Sequence, residues 1–191
     1  MWDSAYDLQL LKKIDLKCRK VKTTRIKEIF FQLPKPPHIL RCYDGASRGN
    51  PGDAGYGFIS RHWNGEYLFA ISGGLGLATN FMAEVFAILC SGEWAINNNF
   101  FSVCFQTDSQ AAMTAFQTGA VPWWAKTRWN KIKSCLQEWY FAHSYREKKF
   151  SADLMEKRDA GLAKGERKCY RTRPNFIRTL EILDKPYYRF C

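Results

Sequence analysis

The chain has 191 residues, 46% of them hydrophobic and 16% aromatic, with a formal net charge of +11, a composition that excludes a disordered polypeptide and is sufficient for one domain with a core. No apolar run approaches the roughly 18 to 20 residues that span a bilayer, and the start, MWDSAYDLQLLKK, lacks the basic-then-apolar order of a secretory signal. An intracellular protein, nuclear or cytoplasmic, with no membrane partner is expected.

The charge is concentrated at the two ends. Residues 1–38 carry a net +5 and residues 161–191 another +5, whereas residues 39–160 are close to neutral. Two basic arms of this kind suit a polyanion, or else merely solubilise the chain. The seven cysteines contain no CxxC pair, which argues against a disulfide framework and against structural zinc, so they read as reduced thiols. In chain order, 1–38 reads as a basic arm closed by a proline linker, LPKPPH, and a domain is expected over 39–164, followed by a basic tail over 165–191.

The domain begins with a short buried strand, 39–44. A turn follows at RGNPG, and two aromatic and β-branched runs, 55–63 and 66–75, flank Asn64-Gly65, a hairpin signal. Residues 82–97 have apolar positions at helical spacing, with Asn80 placed to cap the start. A strand at 102–107 ends in Asp108, a short helix covers 110–117, and a second helix 125–140 precedes a strand at 141–145 and a closing helix at 152–164. The order βββαβαβα implies a parallel crossover between the first and fourth strands. Asp44 and Asp108 then emerge together at the carboxyl edge of the sheet, where open α/β sheets hold their ligands. Two such carboxylates repel unless a cation joins them, and Glu84 and Asp153, each in the first turn of a helix, complete a ring of four. Each acid alone has an ordinary explanation as a turn, cap or helix-dipole residue. It is their convergence from four separate elements that points to a site.

The series Asp44-Gly45-Ala46-Ser47 with Gly49-Asn50-Pro51-Gly52, then Ala83-Glu84, Thr107-Asp108-Ser109, and Arg146-Glu147 followed by Ala152-Asp153, closely resembles ribonuclease H of type 1. The resemblance covers about residues 34–164 and is nearest to the ribonuclease H-like domains of plant non-LTR retrotransposon polyproteins, whose opening is similar to 36–52. It implies an α/β ribonuclease H-like fold with a five-stranded mixed sheet, order 3-2-1-4-5, flanked by helices. It also implies a monomeric endonuclease, or part of a larger reverse transcriptase polyprotein, that cuts the RNA of RNA/DNA hybrids. Asp44, Glu84, Asp108 and Asp153 would hold two Mg²⁺ ions, with Mn²⁺ as an alternative. Asn50, Asn80 and Gln110 would contact the hybrid.

Two departures stand out. Lys149 occupies the position where these relatives usually carry asparagine, and Leu154-Met155-Glu156-Lys157 is less regular than the usual Ala-Leu-Ala-Lys. Together with the basic arms they leave open a non-catalytic nucleic-acid-binding domain. His143 lies ten residues before Asp153, as does a proton-shuttling loop histidine in some members, but FAHSY reads as strand and His143 as structural. The tryptophans of VPWWAKTRW read as packing residues before they read as a base-stacking platform.

Overall fold

The computed structural model describes Gln9, Lys13, residues 25–159 and residues 161–190, with backbone only over 156–159. Readings of the arm before residue 25, Cys18 and Cys191 fall outside the described residues. The chain divides into two compact units, 1–28 with 188–191, and 29–187. The strands are β1 (Ile26–Phe30), β2 (Ile39–Gly49), β3 (Gly52–Arg61), β4 (Tyr67–Ala78), β5 (Ser102–Thr107), β6 (Glu138–His143), β7 (Arg167–Tyr170) and β8 (Pro186–Phe190). The helices are α1 (Asn80–Asn97), α2 (Gln110–Thr118), α3 (Trp123–Cys135) and α4 (Phe150–Asp159), with a 3₁₀ turn at Arg146–Lys148. None of the described helices is long and apolar enough to cross a membrane.

The main sheet runs β6-β5-β2-β3-β4-β7, and β1 pairs with β8 in a two-stranded sheet of its own. β2, β3 and β4 form an antiparallel meander, while β5 joins β2, and β6 joins β5, in parallel. The expected five-stranded order is present, and a sixth strand extends it. β7 pairs with β4 from Ala70↔Tyr170 to Gly73↔Arg167, so part of the expected basic tail belongs to the sheet. A short run such as RKCY carries too little hydrophobic alternation to announce itself as a strand, and an edge position needs none.

β2 is covered on both faces, and its side chains sort by parity. Ile39 and Tyr43 enter the main core with Val85 and Ile88 of α1. Leu40 and Cys42 face the other way, packing with Phe31, Cys104 and Ala152 of α4. Arg41 lies on the α1 side, fully buried, its guanidinium 4.3 Å from the Trp94 ring centre. Trp129 of α3 is buried edge-on against Phe105 and Phe116, which accounts for one tryptophan of the Trp-rich run as core. Trp124 stacks on Phe86 at 4.9 Å, while Trp123 is 86% exposed.

The residues after β7 also reach the interior. Ile177 is buried with Ile59, Ala70 and Met155. Glu181, 1% exposed, meets the Arg61 guanidinium at 3.5 Å and accepts hydrogen bonds from the Ser151 backbone N–H (2.8 Å) and hydroxyl (2.6 Å). A carboxylate receiving the first-turn N–H of α4 caps that helix and complements its dipole. Glu181→Ala would leave Arg61 buried without its charge partner and α4 uncapped, at a cost of about 3 kcal/mol or more. Urea denaturation of parent and variant measures this as a lowered midpoint at similar slope.

Candidate active site

The parallel ladder between β2 and β5 ends at Cys42↔Gln106. Beyond it β2 continues on β3 alone, with Asp44 opposite Gly57, while the chain leaves β5 at Thr107 and reaches Asp108. The two acids thus leave neighbouring parallel strands side by side. Glu84 is drawn in by a close backbone approach: a Cβ on Gly45 would lie 2.3 Å from the Ala83 carbonyl carbon and 2.4 Å from the Glu84 nitrogen. Only glycine allows β2 to rest on the first turn of α1 at this point. As a result Asp44, Glu84 and Asp108 present oxygens that all lie within 4.8 Å of one another.

These three carboxylates line a cleft of about 600 Å³ whose walls also carry Asn50, Asn80, Arg146 and Asp153. Asp153 comes from the first turn of α4. Asp44 and Glu84 are 6% and 7% exposed, so neither carboxylate is bathed in bulk water. Glu84 Oε2 is buried with no hydrogen-bond partner among the described residues. An orphaned buried carboxylate oxygen is costly unless a ligand completes it.

One cation already lies among these acids, and it belongs to the chain. Lys149, 1% exposed, hydrogen-bonds the Asp108 carboxylate, approaches Asp44 Oδ1 at 3.2 Å and donates to the Tyr43 carbonyl at 3.0 Å. Arg146 donates to the other Asp108 oxygen at 2.8 Å from an exposed position. Burial disfavours the Lys149 charge, but Asp44, Glu84 and Asp108 outweigh it and hold the ammonium above its ordinary pKa. Burial also raises Asp108, yet Lys149 and Arg146 prevail and leave it below the usual carboxylate range. Asp44 stays raised, by burial and by Asp108, against the pull of Lys149. Burial pushes Glu84 up to about 8, with Asp44 and Asp108 adding to the effect and Lys149 opposing it.

The candidate substrate residues are distributed around the same mouth. The Ser47 N–H donates to Asn80 Oδ1 at 2.7 Å, and the Asn80 N–H donates to Asn50 Oδ1 at 3.2 Å, tying the β2–β3 turn to the start of α1. The cap of α1 is Thr79, whose hydroxyl accepts from the Met82 N–H at 3.2 Å, and Asn80 is the first helical residue. Adjacent threonine and asparagine are both capping types, so the sequence could not choose between them. Gln110 opens α2 next to Ser109 and Ala111 of the cleft wall, its amide 3.4 Å from the Thr114 hydroxyl. His143 ends β6, exposed and edge-on to Tyr145.

A family model described as reverse transcriptase-like matches residues 42–158, which takes in all four acids. The chain belongs to this family. A protein similar to this reverse transcriptase-like chain, the ribonuclease H of Syntrophus aciditrophicus, is 32% identical over 119 residues, covering 62% of the chain and 60% of that protein. The chain therefore spans about 60% of that curated relative's length. Among solved structures, RNase H1 from the halophilic archaeon Halobacterium salinarum is 27% identical with a TM-score of 0.59, covering 64% of this chain and 96% of that one. LC11-RNase H1 in complex with an RNA/DNA hybrid is 27% identical with a TM-score of 0.55, covering 63% and 94%. The fold is that of ribonuclease H, and in this reverse transcriptase-like chain β7 and the segment that carries Glu181 lie beyond the residues matched by the family model.

The raised Glu84 has a consequence for stability. Between its ordinary 4.5 and about 8 the folded chain keeps a proton that the unfolded chain releases, so this contribution to stability is lost as pH rises through that window. In EDTA, the stability of Glu84→Gln relative to the parent should therefore grow steadily across the same window. Denaturation midpoints at several pH values check it, and a difference that is flat with pH contradicts it.

Proposed function

We propose that this chain is a divalent-metal-dependent endonuclease that hydrolyses the RNA strand of RNA/DNA hybrids, and that it derives from a retroelement of the plant non-LTR type. The carrying observation is the convergence of Asp44, Glu84 and Asp108 within 4.8 Å in a polar cleft that Asp153 also lines. The similar proteins named ribonuclease H, one of them in complex with a hybrid, support the same reading.

The donor set fits a hard cation. Carboxylate oxygens are what Mg²⁺ and Mn²⁺ prefer, and the partnerless Glu84 Oε2 suits a ligand atom. Asp44, Glu84, Asp108 and Asp153 would hold the ions. When bound, such ions supply an activated water and stabilise charge on the leaving oxygen of a phosphodiester.

The remaining roles fall to the chain's own side chains. Arg146, exposed on the cleft wall, is a cation within reach of an incoming phosphate and orients the Asp108 carboxylate. With the carbonyl oxygens of Asn50 and Asn80 engaged by backbone N–H groups, each amide offers a substrate its NH₂ end. Amide donors at the cleft mouth, together with Gln110, suit recognition of 2′-hydroxyls in the shallow minor groove, which is the information that phosphates lack. The basic ends of the chain would add sequence-independent affinity for the backbone. A second reading, a non-catalytic hybrid-binding domain, is favoured by the Lys149 ammonium lying against two of the carboxylates.

Labelled RNA/DNA hybrid, duplex RNA and duplex DNA, each incubated with Mg²⁺ or EDTA, test this directly. Metal-dependent cutting confined to the RNA of the hybrid is expected, and equal cutting of duplex DNA would reject the assignment. Asp44→Asn should lower hybrid cleavage by more than the roughly 10- to 100-fold that loss of an outer partner costs a metal site. Asn50→Ala and Gln110→Ala should weaken hybrid cleavage with Mg²⁺ dependence little changed, each lost hydrogen bond being worth roughly 0.5 to 1.5 kcal/mol. Initial rates against Mg²⁺ and against hybrid concentration separate the two effects.

A further inference from the structure

Lys149 enters the cleft from the link between the 3₁₀ turn and α4, and its ammonium has three N–H groups to place. Three acceptors receive them: Asp44 Oδ1, Asp108 Oδ1 and the Tyr43 carbonyl. Every donor is used, and the side chain is sealed from solvent. The Asp44 and Asp108 oxygens it engages belong to two of the three carboxylates whose atoms converge within 4.8 Å. A divalent ion bridging that pair would need oxygens at about 2.0 to 2.6 Å, with its charge in the place where the ammonium now lies. Two cations drawn to the same oxygens repel at such short range, so each weakens the hold of the other.

We propose that Lys149 is a tethered counter-cation that competes with divalent metal for the Asp44–Asp108 pair, so that metal enters only when the lysine swings out. The inference rests on reading the carboxylates as a metal centre. It follows that the folded protein tolerates loss of metal, because the repulsion among its acids is already answered from within the chain. It follows too that apparent metal affinity is reduced by the fraction of molecules in which Lys149 is seated. The anchoring of α4 through Ser151 and Glu181 keeps that fraction high, since it fixes the backbone two residues from the lysine.

Isothermal titration calorimetry with Mg²⁺ and with Mn²⁺, on the full chain and on Lys149→Asn, measures the competition. The variant should bind at least about tenfold more tightly than the parent. Its thermal midpoint should fall in EDTA and recover with millimolar Mg²⁺, while that of the parent should be nearly indifferent to both. Affinities within about twofold of each other would overturn the proposal, as would a parent midpoint that responds to Mg²⁺ as strongly as the variant's. Lys149→Met, close in length and uncharged, repeats the comparison should the asparagine variant fail to fold. Submillimolar Mg²⁺ binding by the parent alone also decides against the lysine. Hybrid cleavage, assayed in parallel, keeps the two readings apart. Tighter metal binding by the variant without any cleavage supports the competition and removes the nuclease reading. Tight binding and cleavage by the parent does the reverse.

Discussion

Carboxylates brought within 4.8 Å of one another in a buried cleft repel unless a positive charge lies among them, and here that charge is the Lys149 ammonium. Much of the surrounding architecture serves this arrangement. The parallel crossover brings Asp44 and Asp108 out at adjacent strand ends, and α1, which starts at Asn80 and not at the expected 82, presents Glu84 just past its first turn. The 3₁₀ turn and the start of α4 deliver Lys149 and Asp153 from the opposite wall. A buried ion cluster of this kind is not a large source of net stability, because desolvation offsets most of the attraction. Its effect is on geometry: separating the lysine from the acids with no other cation in its place leaves an uncompensated charge in the interior.

The meeting of Asp44, Glu84 and Asp108 was legible in the sequence because strand ends and helix starts are recognisable and the crossover rule fixes which ends meet, whereas Asp153, expected as a fourth member, lines the cleft without joining that group of three. Position 149 was legible only as a departure. Nothing in a lone lysine indicates burial, since the residue is nearly always at the surface, and its destination depends on the path of a three-residue turn. The short strand over 39–44 became an eleven-residue strand because β3 goes on pairing after β5 has stopped, a property of the partner that 39–44 cannot report. Arg41, in the middle of a run read as buried strand, is indeed buried, its guanidinium over the faces of Trp94 and Phe58 with no hydrogen-bond partner for its nitrogens among the described residues.

The C-terminal region was the least legible. Its basic composition suggested a solvated tail, yet Ile177 and Glu181 are among the most buried of their types in the chain. A single glutamate in a basic segment reads as solubilising. Its role appears only when Arg61 on β3 and Ser151 on α4, 120 and 30 positions away, converge on it. Partners so distant leave no local pattern.

The contact between Gly45 and the backbone of Ala83 and Glu84 makes the cleft mechanically unequal. On that wall two main chains touch directly, with no side chain between them, so the spacing of the backbone at Gly45 from that at Ala83 and Glu84 is tightly set. The other wall is built from a residue just past a strand end, a single 3₁₀ turn and a helix pinned by one carboxylate. On the side of Asp108 and Lys149 the placement rests instead on side-chain contacts. A ligand held between the two walls would take its reference from the side where main chain rests on main chain.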